Sequence, residues 1–268
     1  MTNLSFQSAV YNRSTLKQKS IHKQMNTNED LFSFESMIQR FSNIPEATAI
    51  LGKTGQMPIL FDLEDPRPGS ILLVNDHLPS LRKFMMVMMK SLVVFSHPSN
   101  FQFVSISHHP DNWMDQIQEF DPEYSYCAGV SGDYETSSED WIMFLTKKAD
   151  DRISGRNRGA SAILFLDDID LIKNMNIQAQ INFKWLLQNG AQSRIWIVSG
   201  LDLRKSPDSL NRIDEFKTRI YGQLSNEVAL KIQKHVPLNE LKKLSDDRNF
   251  LTKIGPNWIP FWAPKLQG

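Results

Sequence analysis

Of the 268 residues 41% are hydrophobic, enough for one substantial core, and 30 basic and 30 acidic side chains cancel, so overall charge advertises neither a nucleic-acid nor an anionic-membrane partner, with a local patch left open. The single cysteine, Cys127, excludes an internal disulfide and fits a reducing compartment. No apolar run approaches the roughly 20 residues that cross a bilayer, and the N-terminal stretch lacks the apolar centre of a signal peptide; no integral membrane segment and a cytoplasmic location are expected.

Residues 1–28, rich in Ser, Asn, Gln, Thr and Lys, read as a flexible arm ahead of a single domain over 29–268. Leu31, Phe32, Phe34, Met37, Ile38 and Phe41 recur at near-helical spacing and predict a short amphipathic helix. Two strand-like runs follow, with Gly52, Lys53, Thr54 and Gly55 between them. That GKTG imitates part of a phosphate loop but precedes the wrong strand, and it reads as a hairpin turn. Pro66, Pro68 and Gly69 break the chain before an apolar strand at 70–74, a buried helix at 78–96 and a strand at 101–107. The acidic, aromatic stretch 110–139 predicts one short helix and then a mobile loop, with Cys127 an incidental loop residue. A helix is expected over 141–152, then a loop carrying Arg152, Arg156 and Arg158, a buried strand ending in Asp167 and Asp168, a helix over 177–189, and a strand over 193–200. This alternation predicts an α/β fold whose mainly parallel sheet carries helices on both faces.

Three places in this layout bear on nucleotide chemistry. A phosphate-binding loop uses glycines so that backbone N–H groups can close around phosphates, a lysine to neutralise them and a Ser or Thr hydroxyl to hold magnesium. After the strand at 70–74 the chain instead reads VNDHLPSLRKF. The second place is the strand ending in Asp167 and Asp168, acids that could hold magnesium and polarise water or simply cap the following helix. The third is the strand over 193–200.

The stretch LGKTGQMPILFDLEDPRPGSILLV resembles the approach to the Walker A loop of the FtsK/SpoIIIE/HerA-type motor ATPases, a likeness that extends over residues 50–266 and implies a RecA-like P-loop NTPase fold. Aligned on the strand, Asp76, Pro79 and Leu81 stand at the family's glycine positions, Arg82 at its lysine and Lys83 at its Ser/Thr. Asp167 and Asp168 match its Walker B pattern. Ser199 matches a nucleotide-sensing Thr, Gly200 stands where the family has Gln, and Asn189 lies near a frequent Arg. Arg219 matches the arginine of a Thr-Arg-Ile strand, and the ending IGPNWIPFWAPKLQG resembles the family's closing strand and tail.

Each replacement in the loop opposes the family's chemistry. Pro79 and Leu81 restrict the backbone, Asp76 brings negative charge, and Lys83 offers no oxygen to magnesium; only Arg82 could attract an anion. The resemblance therefore implies a catalytically degenerate subunit, a pseudo-ATPase serving as scaffold or partner-docking module in a larger motor, secretion or DNA-processing assembly. No resident cofactor is expected, with magnesium-ATP the one candidate left open, and the implied partners are homologous ATPase subunits or another protein of the complex. Two other readings stay open: an ATP-driven DNA or protein translocase using Arg82, Asp167 and Asp168, and a DNA-binding accessory subunit.

The accessory reading rests on Lys147, Lys148, Arg152, Arg156 and Arg158, which are a solvated loop, a phosphate grip, or a contact in trans with a neighbour's nucleotide, as Arg219 could also be. His108, His109 and Asp111 read as a surface loop, and no metal site is expected. Trp258, Phe261 and Trp262, set among Pro256, Pro260 and Pro264, either hold the chain end against the core or anchor a partner.

Overall fold

The computed structural model describes residues 32–41, 43–156 and 159–266; the arm expected at 1–28 lies outside them. Ten strands form one sheet: β1 (Thr48–Thr54), β2 (Met57–Asp62), β3 (Ile71–Asn75), β4 (Phe101–Ser107), β5 (Cys127–Gly132), β6 (Ser161–Leu166), β7 (Ile195–Asp202), β8 (Thr218–Tyr221), β9 (Asn249–Ile254) and β10 (Asn257–Trp262). Their spatial order is β2-β1-β10-β9-β8-β3-β7-β6-β4-β5. From β8 to β5 every neighbouring pair is parallel, and from β8 back to β2 every pair is antiparallel.

The parallel half is covered twice, which is why its strands read as unbroken apolar runs. On β3, Leu72 and Val74 enter one core layer, shared with α4 (Thr136–Ile153) and α5 (Ile177–Asn189), whereas Ile71 and Leu73 enter a second, shared with α2 (Leu78–Phe95) and α3 (Pro110–Gln118). The period of two along a strand delivers alternate residues to opposite layers. Two short helices, α6 (Asn226–Lys231) and α7 (Leu238–Leu241), follow β8. The first helix, α1 (Phe34–Arg40), begins at Ser33, whose side chain accepts from Ser36 N, and buries Phe34 and Met37 against Ile50 and Val87. Among the described residues no helix is long and apolar enough to cross a membrane.

Three expectations need correction. Gly52, Lys53 and Thr54 are not in the hairpin turn but in β1, and only Gly55 of that motif turns the chain. Gly52 sits at a register shift where a Cβ would meet the Trp262 carbonyl oxygen at 2.2 Å, so this glycine admits the backbone of β10. The stretch read as a mobile loop holds β5, parallel to β4. Asp121 launches it: the buried carboxylate accepts from the backbone amides of Ser125, Tyr126 and Cys127 at 2.8–3.0 Å, a local device that strand propensity does not register. Cys127 is accordingly not a loop residue. It opens β5 and is buried, which pushes its thiol up to about 11.

The C-terminal aromatic segment forms the β9–β10 hairpin. Phe261 is buried and stacks on Phe250, and both meet Phe84 of α2. Beyond it Lys265 N donates to Phe32 O and Lys265 O accepts from Phe34 N, tying the end of the chain to the start of α1.

Candidate functional site

At the carboxyl end of β3 the chain enters α2 after only two residues, Asp76 and His77. Such a connection cannot wrap a ring of amides around an anion as a longer glycine-rich loop does. Most of its own groups are already engaged, although Asp76 Oδ1 is buried without a hydrogen-bond partner. The amides of Ser80 and Leu81 donate to His77 O at 3.1 and 3.4 Å, His77 Nδ1 lies 2.9 Å from Ser80 Oγ, and His77 N donates to Asn75 Oδ1 at 3.0 Å. Pro79, in the first turn, has no N–H to give. Asp76 Oδ2 accepts from Ser225 N at 2.6 Å, which ties the turn to the segment leading into α6.

The next three side chains go three ways. Leu81 is fully buried in the core layer under α2. Lys83 points outward, 69% exposed, with Asp247 at 4.0 Å. Arg82 turns inward: its Nη2 donates to Asp167 Oδ2 at 3.0 Å, with Arg82 14% and Asp167 0% exposed. The same Asp167 oxygen accepts from Ser107 Oγ at 2.5 Å, and Ser107 Oγ in turn accepts from His109 N at 2.9 Å. The Arg82 guanidinium and the Asp167 carboxylate thus neutralise each other inside the protein. The fit is incomplete, since Asp167 Oδ1 and Arg82 Nε are both buried without hydrogen-bond partners.

Ser107 is a member of this cluster that the sequence reading missed. Its available signal was a small hydroxyl closing an apolar strand; what the sequence withheld is that β4 lies directly beside β6, with Ile106 opposite Leu166.

Asp168 caps the 3-10 helix Ile169–Asn174 by accepting from Asp170 N at 3.0 Å. Burial pushes its carboxyl up to about 6; the Asp170 amide opposes this, the charges of Asp170 and Asp167 add to it, and His108 pulls back. The folded chain therefore keeps a proton that the unfolded chain releases near pH ~4. Stability from this group falls as pH rises from there to about 6, and the cost is complete above that. Asp168→Asn keeps an oxygen for the cap and removes the charge. It is expected to raise unfolding free energy at pH 7.5 by about 2 kcal/mol and to flatten the decline between pH ~4 and ~6, measured by urea denaturation across that range.

The remaining site expectations scatter. Register places Ser199 beside Leu166 and Leu72, whose side chains enter the α4/α5 layer, so Ser199 faces away from Arg82; its hydroxyl donates to Gly200 O at 3.2 Å. Gly200 is on the α2 side, where a Cβ would meet the Asp167 carbonyl oxygen at 2.3 Å and Leu81 Cδ1 at 3.3 Å. Asn189 ends α5, its Nδ2 donating to Trp185 O, ahead of the start of β7 and so at the opposite end of the sheet from Asp167.

Arg152 belongs to α4 rather than to a loop and is turned onto the carbonyl oxygens of Ser193, Arg194 and Ala160. Arg156 pairs with Asp150 and Asp151, and Arg158 lies outside the described residues. Of the described members of the basic stretch, Arg152 and Arg156 are therefore engaged by the fold itself, and Lys148 Nζ lies 5.7 Å from the Phe144 ring centroid. Arg219 donates through Nε to Ile213 O at 2.8 Å and lies 3.3 Å from Asp214. His108 Nδ1 is 2.9 Å from Asp133 Oδ2, and among the described residues no group of three or more His, Cys, Asp or Glu could hold a metal.

No family model matches the sequence, and no curated protein matches it. Solved structures do. The conjugation coupling protein TcpA of pCW3, solved with ATPγS, matches at TM-score 0.61 and 14% identity over 82% of this chain and 66% of that one. ATPases 2 and 3 of Thermomonospora curvata EccC, in complex with a signal sequence peptide, match at 0.61 and 12% over 83% of this chain and 44% of that one. B204, the DNA-packaging ATPase of Sulfolobus turreted icosahedral virus, matches at 0.51 and 12% over 74% of this chain and 98% of that one. This chain thus spans less than two thirds of the first two. At such identities the likeness speaks for architecture, and together with the parallel half-sheet and its paired helical layers it gives this chain the RecA-like fold of the FtsK- and HerA-type P-loop ATPases.

Proposed function

We propose that this chain is a pseudo-ATPase: a subunit that keeps the motor fold without nucleotide turnover and acts as a scaffold or docking module within a motor, secretion or DNA-processing assembly. The observation that carries this reading is the Arg82–Asp167 ion pair. In a working site the basic side chain meets phosphate and the acid helps hold magnesium; here each is the other's counterion. The residues do not fit magnesium-ATP. The two-residue turn brings Asp76 rather than a run of glycines, Lys83 stands in solvent, and the hydroxyl of Ser80 is engaged by His77.

A docking role is supported by the structural neighbours. EccC (ATPases 2 and 3) is found in complex with a signal sequence peptide, so a protein that contains this fold can hold a polypeptide.

The test is turnover. Purified protein with magnesium and ATP is expected to release phosphate at the background rate, and Lys83→Ala to leave that rate where it is. Turnover well above background that vanishes in an Asp167→Asn variant shown to be folded would instead establish an ATP-driven translocase with a non-standard loop.

A further inference from the structure

A second cleft, of about 500 Å³, opens on the antiparallel side of the sheet and shares no lining residue with the turn at Asp76 and His77. Its walls carry five cationic side chains, Arg67, Lys217, Arg219, Lys234 and Lys253, against one carboxylate, Asp214. Asp214 is spoken for twice, by Arg219 and by His235 Nδ1, each at 3.3 Å. Among the described residues, neither Lys217 nor Lys234 has a carboxylate within ion-pair distance, and both are exposed. Arg67 is held by Asp65 at 2.8 Å, so in a chain whose charges cancel overall the local excess is the three exposed lysines, Lys217, Lys234 and Lys253.

Two buried polar atoms in the same walls also lack partners. Tyr221 is wholly buried and its hydroxyl makes no hydrogen bond; the His235 side chain is 4% exposed and its Nε2 makes none. Buried groups of this kind are ordinarily satisfied; the oxygen of an anion supplies an acceptor for the Tyr221 hydroxyl, whereas His235, whose Nδ1 faces Asp214 and which burial holds below its ordinary pKa, presents Nε2 as an acceptor. Trp258 completes the lining with its ring 6.0 Å from that of Tyr221, and Lys253 Nζ lies 5.8 Å from the Trp258 centroid.

We infer that this cleft binds a compact phosphoanion, a diphosphate held by Lys217, Lys234, Lys253 and Arg219. Size decides for a small ligand over a polymer. A cavity of this size lies within the range of small-molecule sites, and its charges converge on one hollow instead of running along a helix or groove as a nucleic-acid track does. Phosphate recognition needs clustered Lys and Arg donors, and charge-assisted bonds to them are among the stronger polar contacts. Arg219 is held in place by Ile213 O and Asp214, so it meets the ligand without having to be ordered first.

Calorimetric titration of the full chain with pyrophosphate at low ionic strength tests this. Binding in the micromolar range is expected, weakened roughly tenfold or more by Lys217→Glu/Lys234→Glu and unchanged by Lys83→Glu, beside the turn at Asp76 and His77. Both altered lysines are exposed, and a matched urea melt verifies that the variant is folded. ADP identifies the source: affinity above that of pyrophosphate assigns a ring to Trp258, while equal affinity assigns the diphosphate alone. Absence of pyrophosphate binding, binding indifferent to the double reversal, or binding only to oligonucleotides would each overturn the inference. Since hydrolysis is not read, such a failure leaves the pseudo-ATPase reading standing.

Discussion

Asp167→Ala is expected to lower the unfolding free energy by about 4 kcal/mol, the cost of leaving one member of a buried ion pair alone. The acid is fully buried and the guanidinium nearly so, so its removal strands a cation that solvent reaches poorly. Arg82→Met is expected to cost at least as much, because the partner then abandoned is the deeper of the two and keeps only the Ser107 hydroxyl. The double variant Arg82→Met/Asp167→Leu should recover most of the loss. Removing both charges also removes both desolvation penalties, and apolar replacements of similar size are often neutral at buried ion pairs. Urea denaturation of the parent protein, Arg82→Met, Asp167→Leu and the double variant closes the cycle. This result separates a structural pair from a catalytic one. An acid retained to hold magnesium would be expected to give little stability, since functional sites commonly trade stability for activity; a change in Asp167→Ala below about 1 kcal/mol would therefore return the site to the enzymes.

The parallel half of the sheet is legible in the sequence because burial on both faces writes itself as continuous apolar runs, as in residues 161–166, with helical periods between them. Two local devices hid from that reading. β5 is made of small residues and begins where Asp121 gathers three amides, which looks like loop chemistry in one dimension. Gly52 looked like turn chemistry, yet it answers to the backbone of a strand more than 200 residues later. At the site, the identities of Arg82 and Asp167 could be read, and the positions they match in motor ATPases both face the phosphates. Their pairing was thus within reach. What could not be read was which face each residue of β7 takes, and this separates Ser199 from Gly200.

That separation makes Gly200→Gln, which introduces the side chain that the family resemblance would place here, a damaging change: a loss of about 3 kcal/mol or more is expected. The Cβ alone would lie 2.3 Å from the Asp167 carbonyl oxygen and 3.2 Å from its carbon. Backbone cannot yield as the tip of a side chain can, so either β6 or β7 must shift. The amide beyond the Cβ would then enter the fully buried packing of Leu81. Leu81→Ala opens space on that side, but it leaves the carbonyl where it is and adds a cavity cost of about 2–5 kcal/mol of its own. The double variant Leu81→Ala/Gly200→Gln is therefore expected to be less stable than Gly200→Gln alone, by thermal or urea melting. Recovery in the double variant would mean that Leu81, rather than the approach of β6, is what excludes a side chain at position 200. The expected outcome instead makes Gly200 a packing requirement: with Leu81 in the core and Arg82 paired to Asp167, positions matching a nucleotide site are held by their contacts with one another, and no single reversion restores that site.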